Sequence, residues 1–474
     1  MAAAYDVIVI GGGAGGLVLT AGAAQLGLKV ALVEKGDRLG GDCLHHGCVP
    51  SKTLIHCAKV ASLIRRAPEF GLEVREAPLD FARVTAHVHD VIAEIQKHDD
   101  PERFRGYGAE VFFGPARFVS PREVEVNGRR LAGRKFVLAS GSRPLVPPVE
   151  GLEAIGYLTN EAVFGLKRLP ASLLVMGGGP VGIELAQAFA RFGARVTVVE
   201  MLDRILPSED PEICAALREA LQAEGVAIHT GTRAVRAVAG PTRKVLFCRE
   251  GERELRFEAD EILVAAGRAP NVEGLNLEAA GVAYGPKGVQ VDARLRTTAK
   301  HIWACGDVAG PYLFTHVAEY QAGIVLRNVA FHLPARVDYR AIPCATFTDP
   351  EVARVGLTAG EARQRGIPHE VLRFPFSQVD RALAQGEPRG FAKFVVARGR
   401  ILGASIIGPH AGELIHEAVL AMQARLPFRR ISETVHVYPT LAQVNRRAVN
   451  TYYGPRLFSP RTRTLVRWIQ KVLG

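Results

Sequence analysis

The apolar positions at the start of the chain change period twice within forty residues. YDVIVI, residues 5–10, is an almost unbroken apolar run that predicts a strand, and the glycine-rich stretch Gly11 to Gly16 ends it. Apolar and small residues then recur at helical spacing through Leu26, and KVALVE, residues 29–34, is a second strand closed by Glu34. The same alternation returns in SLLVMGGGPVGIELAQAFARFGARVTVVE, residues 172–200, so the chain repeats a strand–helix–strand unit of a parallel sheet. At the far end, Leu465, Trp468, Ile469 and Val472 share one helical face, with Arg461, Arg463, Arg467 and Lys471 nearby. Such a stripe is expected to pack on its own domain; contact with an anionic membrane surface or a partner is the alternative.

Both repeats carry the chemistry of a dinucleotide site. Gly11 and Gly177 permit the tight turn, Gly13 and Gly179 let backbone amides approach a pyrophosphate, and Gly16 and Gly182 let the helix pack against the strand. Glu34 lies 23 residues past Gly11, and Glu200 lies 23 past Gly177, each placed to bind ribose hydroxyls. A carboxylate at position 200 favours the free 2′-hydroxyl of NADH over the phosphate of NADPH, with Arg195 and Arg204 nearby as a complication. One chain therefore carries two dinucleotide sites.

Just past the first site, GGDCLHHGCVPSK separates Cys43 and Cys48 by four residues. A regular helix would hold their α-carbons about 7.5 Å apart along its axis, beyond the roughly 4.4–6.8 Å of a disulfide, so a distorted helix start is expected. Gly47 supplies backbone freedom and Pro50 suits a first helical turn, which puts both sulfurs near a helix N-terminus that favours thiolate. The pair reads as a redox-active disulfide. Two dinucleotides and a dithiol imply an electron path from nicotinamide through a flavin to the disulfide, or the reverse, because side chains accept hydride poorly. His45 and His46, between the cysteines, are expected to face solvent or hydrogen-bond within the loop rather than act as bases.

Composition narrows the alternatives. With 474 residues, 48 % hydrophobic and 23 % charged, the chain suits about three globular domains rather than disorder or a coiled coil. The remaining cysteines, Cys57, Cys214, Cys248, Cys305 and Cys344, show no metal-ligand spacing; they are expected to be core thiols, with no structural metal. The start MAAAYDVIVI lacks a basic leader and no run of eighteen apolar residues occurs, which points to a cytoplasmic protein without a transmembrane segment. The net charge of +11 is spread without aromatic interleaving, so it suits capture of anionic nucleotides better than nucleic acid.

These motifs, in this order, resemble the flavin-dependent pyridine nucleotide-disulfide oxidoreductases, the group of dihydrolipoamide dehydrogenase, glutathione reductase and mercuric reductase. The likeness continues through LASGSRP at 138–144, AAGRAPN at 265–271, WACGDV at 303–308 and ATFTDPEVARVG at 345–356. It implies an α/β fold of two Rossmann-like dinucleotide-binding domains, for FAD and NAD(P), with a C-terminal α+β dimerisation domain. Residues 1–148 and 271–344 would form the FAD-binding domain, 149–270 the NAD(P)-binding domain, and 345–474 the domain that makes a homodimer and carries Tyr438 to the partner's active site. It further implies FAD at the first site with Asp307 on the ribityl chain, Gly41, Ser140, Gly141 and Gly267 among the cofactor-binding positions, and NAD(P)H at the second. Cys48 would be the thiolate against the flavin and Cys43 the outer thiol that exchanges with substrate. Lys52 and Glu184 match a pair placed near the reactive flavin nitrogen, where a cation stabilises reduced flavin and the acid holds the lysine.

One departure bears on the acceptor. In ETVHVYPTLAQVNRR, dithiol-using members of the group place a histidine directly before Pro-Thr and a glutamate five residues after it; this chain has Tyr438 and Gln443. A phenol with a pKa near 10 is a poor base at pH 7. His436, two residues earlier, is expected on the same face of an extended segment and is the candidate replacement. Reduction of a soft metal ion held transiently by Cys43 and Cys48 needs no such base, and mercuric reductases carry a tyrosine at the matching position. The C-terminal cysteine pair of those enzymes is absent from RTRTLVRWIQKVLG. A soft metal ion is the leading expectation for the acceptor. A specialised disulfide, such as the lipoyl group of a carrier protein, is second, and a quinone reductase or a non-catalytic redox sensor or scaffold follows.

Overall fold

A computed structural model describes residues 4–74 and 78–473. The chain divides into two compact units, one of residues 1–199 and 233–338, the other of residues 200–232 and 339–474. In the first unit, strand β1 (Tyr5–Ile10) leads into helix α1 (Ala14–Gln25) and strand β2 (Val30–Glu34). Two helices follow, α2 (Gly41–His45) and α3 (Cys48–Arg66), and then strands β3 (Ala109–Phe113), β4 (Ala116–Ser120), β5 (Glu123–Val126) and β6 (Arg129–Leu138). The sheet runs β3-β2-β1-β6-β5-β4, and Ile302–Ala304 also pairs with β6. Strands β1, β2, β3 and β6 are parallel, which is why they read as continuous apolar runs: Val7, Val9, Leu32 and Val137 are buried in one cluster, Ile8, Ile10, Phe136 and Leu138 in another.

The second repeat forms its own parallel sheet from Ser172–Met176, Arg195–Val199 and Glu261–Val264, with helix Pro180–Phe192 as the crossover. The two repeats match down to single atoms. Gly11 and Gly177 both have φ +115°, and a Cβ on them would strike the carbonyl oxygens of Ala139 and Ala265. In the same way, a Cβ on Gly16 or Gly182 would strike the carbonyl oxygen of Gly11 or Gly177.

The second unit is built on an antiparallel sheet of five strands in the order Pro343–Thr346, Glu351–Gly356, Arg400–Gly408, Phe391–Ala397, Glu370–Pro375. Its core includes Phe376, Phe394, Ile406 and Val444, all fully buried. Segment 200–232 is pinned to this sheet by a buried ammonium: Lys393 Nζ donates to both Asp210 oxygens (3.0 and 2.9 Å) and to Glu212 Oε1 (2.7 Å). Helix Pro460–Leu473 departs from expectation. No residue of it is buried, and its apolar stripe faces solvent rather than its own domain. Among the other cysteines, Cys214, Cys248 and Cys305 are buried as expected, whereas Cys57 and Cys344 are only half-buried.

Candidate active site

The helix break between the two cysteines is where the sequence places it. Helix α2 ends at His45, Gly47 takes φ −119° and ψ −114°, and α3 opens on Cys48. A Cβ on Gly47 would sit 3.0 Å from the carbonyl oxygen of Asp42 and 3.1 Å from Cys43 Cα, so the chain folds back on itself here and a side chain would push its neighbours apart by a few tenths of an ångström. Both cysteines are free thiols in this structure; Cys43 is half-buried and Cys48 is the exposed one.

The two sulfurs share a proton unequally. Cys48 is lowered to about 6, chiefly by the hydrogen bond from Cys43, with further help from Thr315 and the Lys52 charge, against burial and Glu184. Cys43 is pushed strongly up by its bond to Cys48 and by burial. At neutral pH the pair is therefore a Cys48 thiolate beside a Cys43 thiol. Thr315 Oγ1 lies 3.5 Å from Cys48 Sγ, across 267 residues of sequence. Lys52, one turn into α3, donates to Glu184 Oε2 at 2.8 Å; the glutamate side chain is 5 % exposed and the lysine 34 %. The expected lysine–carboxylate pair is thus present beside the dithiol.

Behind the dithiol runs a network the sequence reading missed. Arg268 donates through Nη2 to Asp42 (3.0 Å) and through Nε to Ser142 Oγ (2.7 Å), and Ser142 donates to Asp307 Oδ2 (2.5 Å). Burial raises the Asp307 carboxyl above its ordinary range. Asn160 bridges Asp42 Oδ1 (3.3 Å) and the His46 carbonyl (2.9 Å). Ser140 and Asn271 exchange two hydrogen bonds, Oγ to O at 2.7 Å and Nδ2 to O at 2.9 Å, and residues 142–144 pair with 268–270. The motifs containing Ser140, Gly141 and Gly267 are therefore one ladder, with the Gly141 carbonyl accepting from Asn271 N and the Gly267 carbonyl from Leu145 N. The signals for Arg268, Ser142, Asn271 and Asp42 lay inside the quoted motifs; Thr315 and Asn160 had none. His45 hydrogen-bonds as expected, Nε2 to the Leu39 carbonyl at 2.9 Å, but it is buried rather than solvent-facing.

The dinucleotide positions fit phosphate-bearing cofactors. Helix α1 and helix Pro180–Phe192 both start at a glycine, Gly13 and Gly179, with no side-chain cap and no acid in the first turn. Such N-termini offer amides to a pyrophosphate. Gly41, at φ +64°, lies so close to Gly13 that a Cβ there would come within 2.7 Å of Gly13 Cα. Glu34 accepts from the amides of Gly12 (2.7 Å) and Gly36 (2.8 Å), which fixes its carboxylate at the end of β2. Glu200, buried, accepts from Leu202 N at 2.7 Å.

In the second unit the base candidates separate. Residues 434–440 form no regular strand, so the two-residue alternation expected to put His436 and Tyr438 on one face does not apply. Tyr438 is exposed and donates to Asp380 Oδ2 at 2.8 Å, a bond that raises its phenol further above the ordinary value. The His436 side chain is 6 % exposed and turns inward, Nε2 to Glu417 Oε1 and Nδ1 to the Thr434 carbonyl, both 2.9 Å. Gln443 Nε2 donates to the carbonyls of His436 (3.3 Å) and Val437 (3.4 Å).

Two glycine-loop sheets and an asymmetric dithiol backed by a lysine–glutamate pair define a dinucleotide-dependent thiol oxidoreductase. A profile described as pyridine nucleotide-disulphide oxidoreductase matches residues 5–322, and the dimerisation domain of the same name matches residues 342–449. The chain belongs to the pyridine nucleotide-disulphide oxidoreductase family. It is 39 % identical over 451 residues to a dihydrolipoyl dehydrogenase of Thermus scotoductus, covering 93 % of this chain and 95 % of that one. It is 34 % identical over 451 residues to a mercuric reductase of Staphylococcus aureus, covering 94 % and 82 %. Among solved structures, the Cu(II) complex of the HOCl-induced flavoprotein disulfide reductase RclA from Escherichia coli superposes with TM-score 0.84 at 29 % identity, over 93 % of this chain and 99 % of that one. The family is FAD-dependent with NAD(P)H as electron donor, and its dimerisation domain supports a homodimer.

Proposed function

We propose that this chain is an NADH-dependent reductase whose Cys43/Cys48 pair binds and delivers a soft metal ion for two-electron reduction. FAD, when bound, supplies a hydride acceptor for the nicotinamide and a reductant for the disulfide or the metal. The glycine loops and helix N-termini at Gly13 and Gly179 hold the two dinucleotides, and Asp307 holds the flavin's ribityl chain. Lys52, fixed by Glu184, places a positive charge beside the thiolate. Cys43, the thiol that the family resemblance assigns to exchange with substrate, meets the incoming metal and gives up its proton, and Cys48 is already anionic at pH 7, so the pair offers two soft ligands. For Hg(II) the balance is NADH + Hg(II) to NAD⁺ + H⁺ + Hg(0).

The observation that carries this reading is the region around Tyr438. The residue before Pro-Thr is a phenol tied to Asp380, and the nearest histidine is committed to Glu417 and Thr434, so a thiol-directed base suited to disulfide exchange is not supplied by residues 436–443. The mercuric reductase relatives and the copper complex of RclA lend support. The higher identity to a dihydrolipoyl dehydrogenase favours a lipoyl disulfide as the second reading.

The test is NADH oxidation by the purified flavoprotein with thiol-complexed Hg(II), lipoamide, glutathione disulfide or a quinone as acceptor. Metal turnover that exceeds lipoamide turnover and disappears in Cys43→Ala, with quinone reduction retained, is expected. Lipoamide turnover above that with metal, or full metal turnover in Cys43→Ala, refutes the proposal.

A further inference from the structure

We propose that helix Pro460–Leu473 is an interfacial anchor that lays the protein on an anionic lipid bilayer. This helix has 14 residues, none buried. At 100° per residue, Leu465, Val466, Trp468, Ile469, Val472 and Leu473 fall within an arc of about 160°, and Arg463, Arg467 and Lys471 within about 80° on the opposite side. The apolar arc is open: Leu465 is 54 % exposed, Trp468 59 % and Val472 58 %. Among the described residues, its side-chain hydrogen bonds run within the helix or to residues 456–459 just before it, such as Thr462 Oγ1 to the Arg456 carbonyl at 3.1 Å. An apolar stripe of this size left in water is unfavourable unless something covers it.

Charge identifies the cover. Residues 460–473 contain Arg461, Arg463, Arg467 and Lys471 and no aspartate or glutamate. A second copy of this chain carries the same excess, in a protein of net charge +11, so pairing two such helices would bring four cations against four. An anionic bilayer is complementary to both faces at once: the acyl boundary takes the apolar arc, and the lipid phosphates take the cations, whose long stems reach up past the apolar side chains. Tryptophan, with an apolar ring and one N–H donor, suits the depth of the headgroups. At about 21 Å the helix is too short to cross, since a spanning helix needs about 20 residues, so it lies in the plane of the surface.

The experiment uses the full-length FAD-loaded protein with vesicles of phosphatidylcholine alone or with about one-third phosphatidylglycerol, followed by flotation and tryptophan emission. The chain has two tryptophans, and Trp303 is buried, so a lipid-dependent shift reports Trp468. Binding to the anionic vesicles only, weakened by salt and accompanied by a blue shift of Trp468, is expected. Each cation removed should weaken binding roughly fivefold. Arg463→Glu/Arg467→Glu/Lys471→Glu should abolish it and leave NADH oxidation unchanged. The proposal is overturned if no vesicle is bound, if neutral vesicles bind equally, or if Trp468 is already blue-shifted and shielded from iodide in the lipid-free dimer, which would assign the helix to the second copy. Retained binding by the triple variant overturns it as well.

Discussion

Removing the Cys43 thiol tests whether proton sharing within the dithiol sets the reactivity of Cys48. The hydrogen bond from Cys43 is the largest influence lowering Cys48 from its ordinary 9.0 to about 6, ahead of Thr315 and Lys52. A hydrogen bond to an ionised group contributes about 1.5–3 kcal/mol. At the lower end of that range, about 1.5 kcal/mol corresponds to roughly one pH unit. In Cys43→Ala the Cys48 midpoint should therefore move from about 6 to about 7, still below the ordinary value because Thr315 and Lys52 remain. The thiolate is the reactive form, so alkylation should rise with pH through each midpoint and then level off. The assay is pulse alkylation of dithiothreitol-reduced protein across pH 4–10, with modified Cys48 quantified by peptide mass spectrometry. An unchanged midpoint in Cys43→Ala, together with a rise in Lys52→Met, would show that the lysine charge and not the neighbouring thiol controls Cys48, and the argument would fail.

Three other outcomes follow from named contacts. Lys393→Met leaves Asp210 buried without its cation and should destabilise the protein by about 3–5 kcal/mol, read from urea unfolding at fixed dimer concentration. Glu184→Gln removes the charge that holds Lys52; because the lysine is partly solvated, the stability loss should be only about 1–2 kcal/mol, while metal-dependent kcat falls at unchanged KM for NADH. Tyr438→His combined with Gln443→Glu supplies a titrating base and its orienting acid, and should raise lipoamide turnover by about tenfold or more, with an alkaline limb that shifts toward neutral pH.

The sequence determined the chemistry that depends on short stretches of chain. Glycines whose Cβ would collide with a carbonyl five residues earlier, an acid at a set distance beyond them, and two cysteines around a helix break are all constrained locally, so Gly16, Gly182, Cys43 and Cys48 were readable without coordinates. The parallel sheets were legible for the same reason, because a strand buried on both faces must be apolar throughout. Tertiary structure alone decided which distant groups complete the site. Thr315 reaches Cys48 from 267 residues away, and Arg268 reaches Asp42 from 226, through crossings that no periodicity encodes. It also decided against two pattern-based expectations. His436 and Tyr438 diverge because their segment is not a strand, and the last helix stays uncovered because amphipathicity states that a face needs a cover without stating what supplies it.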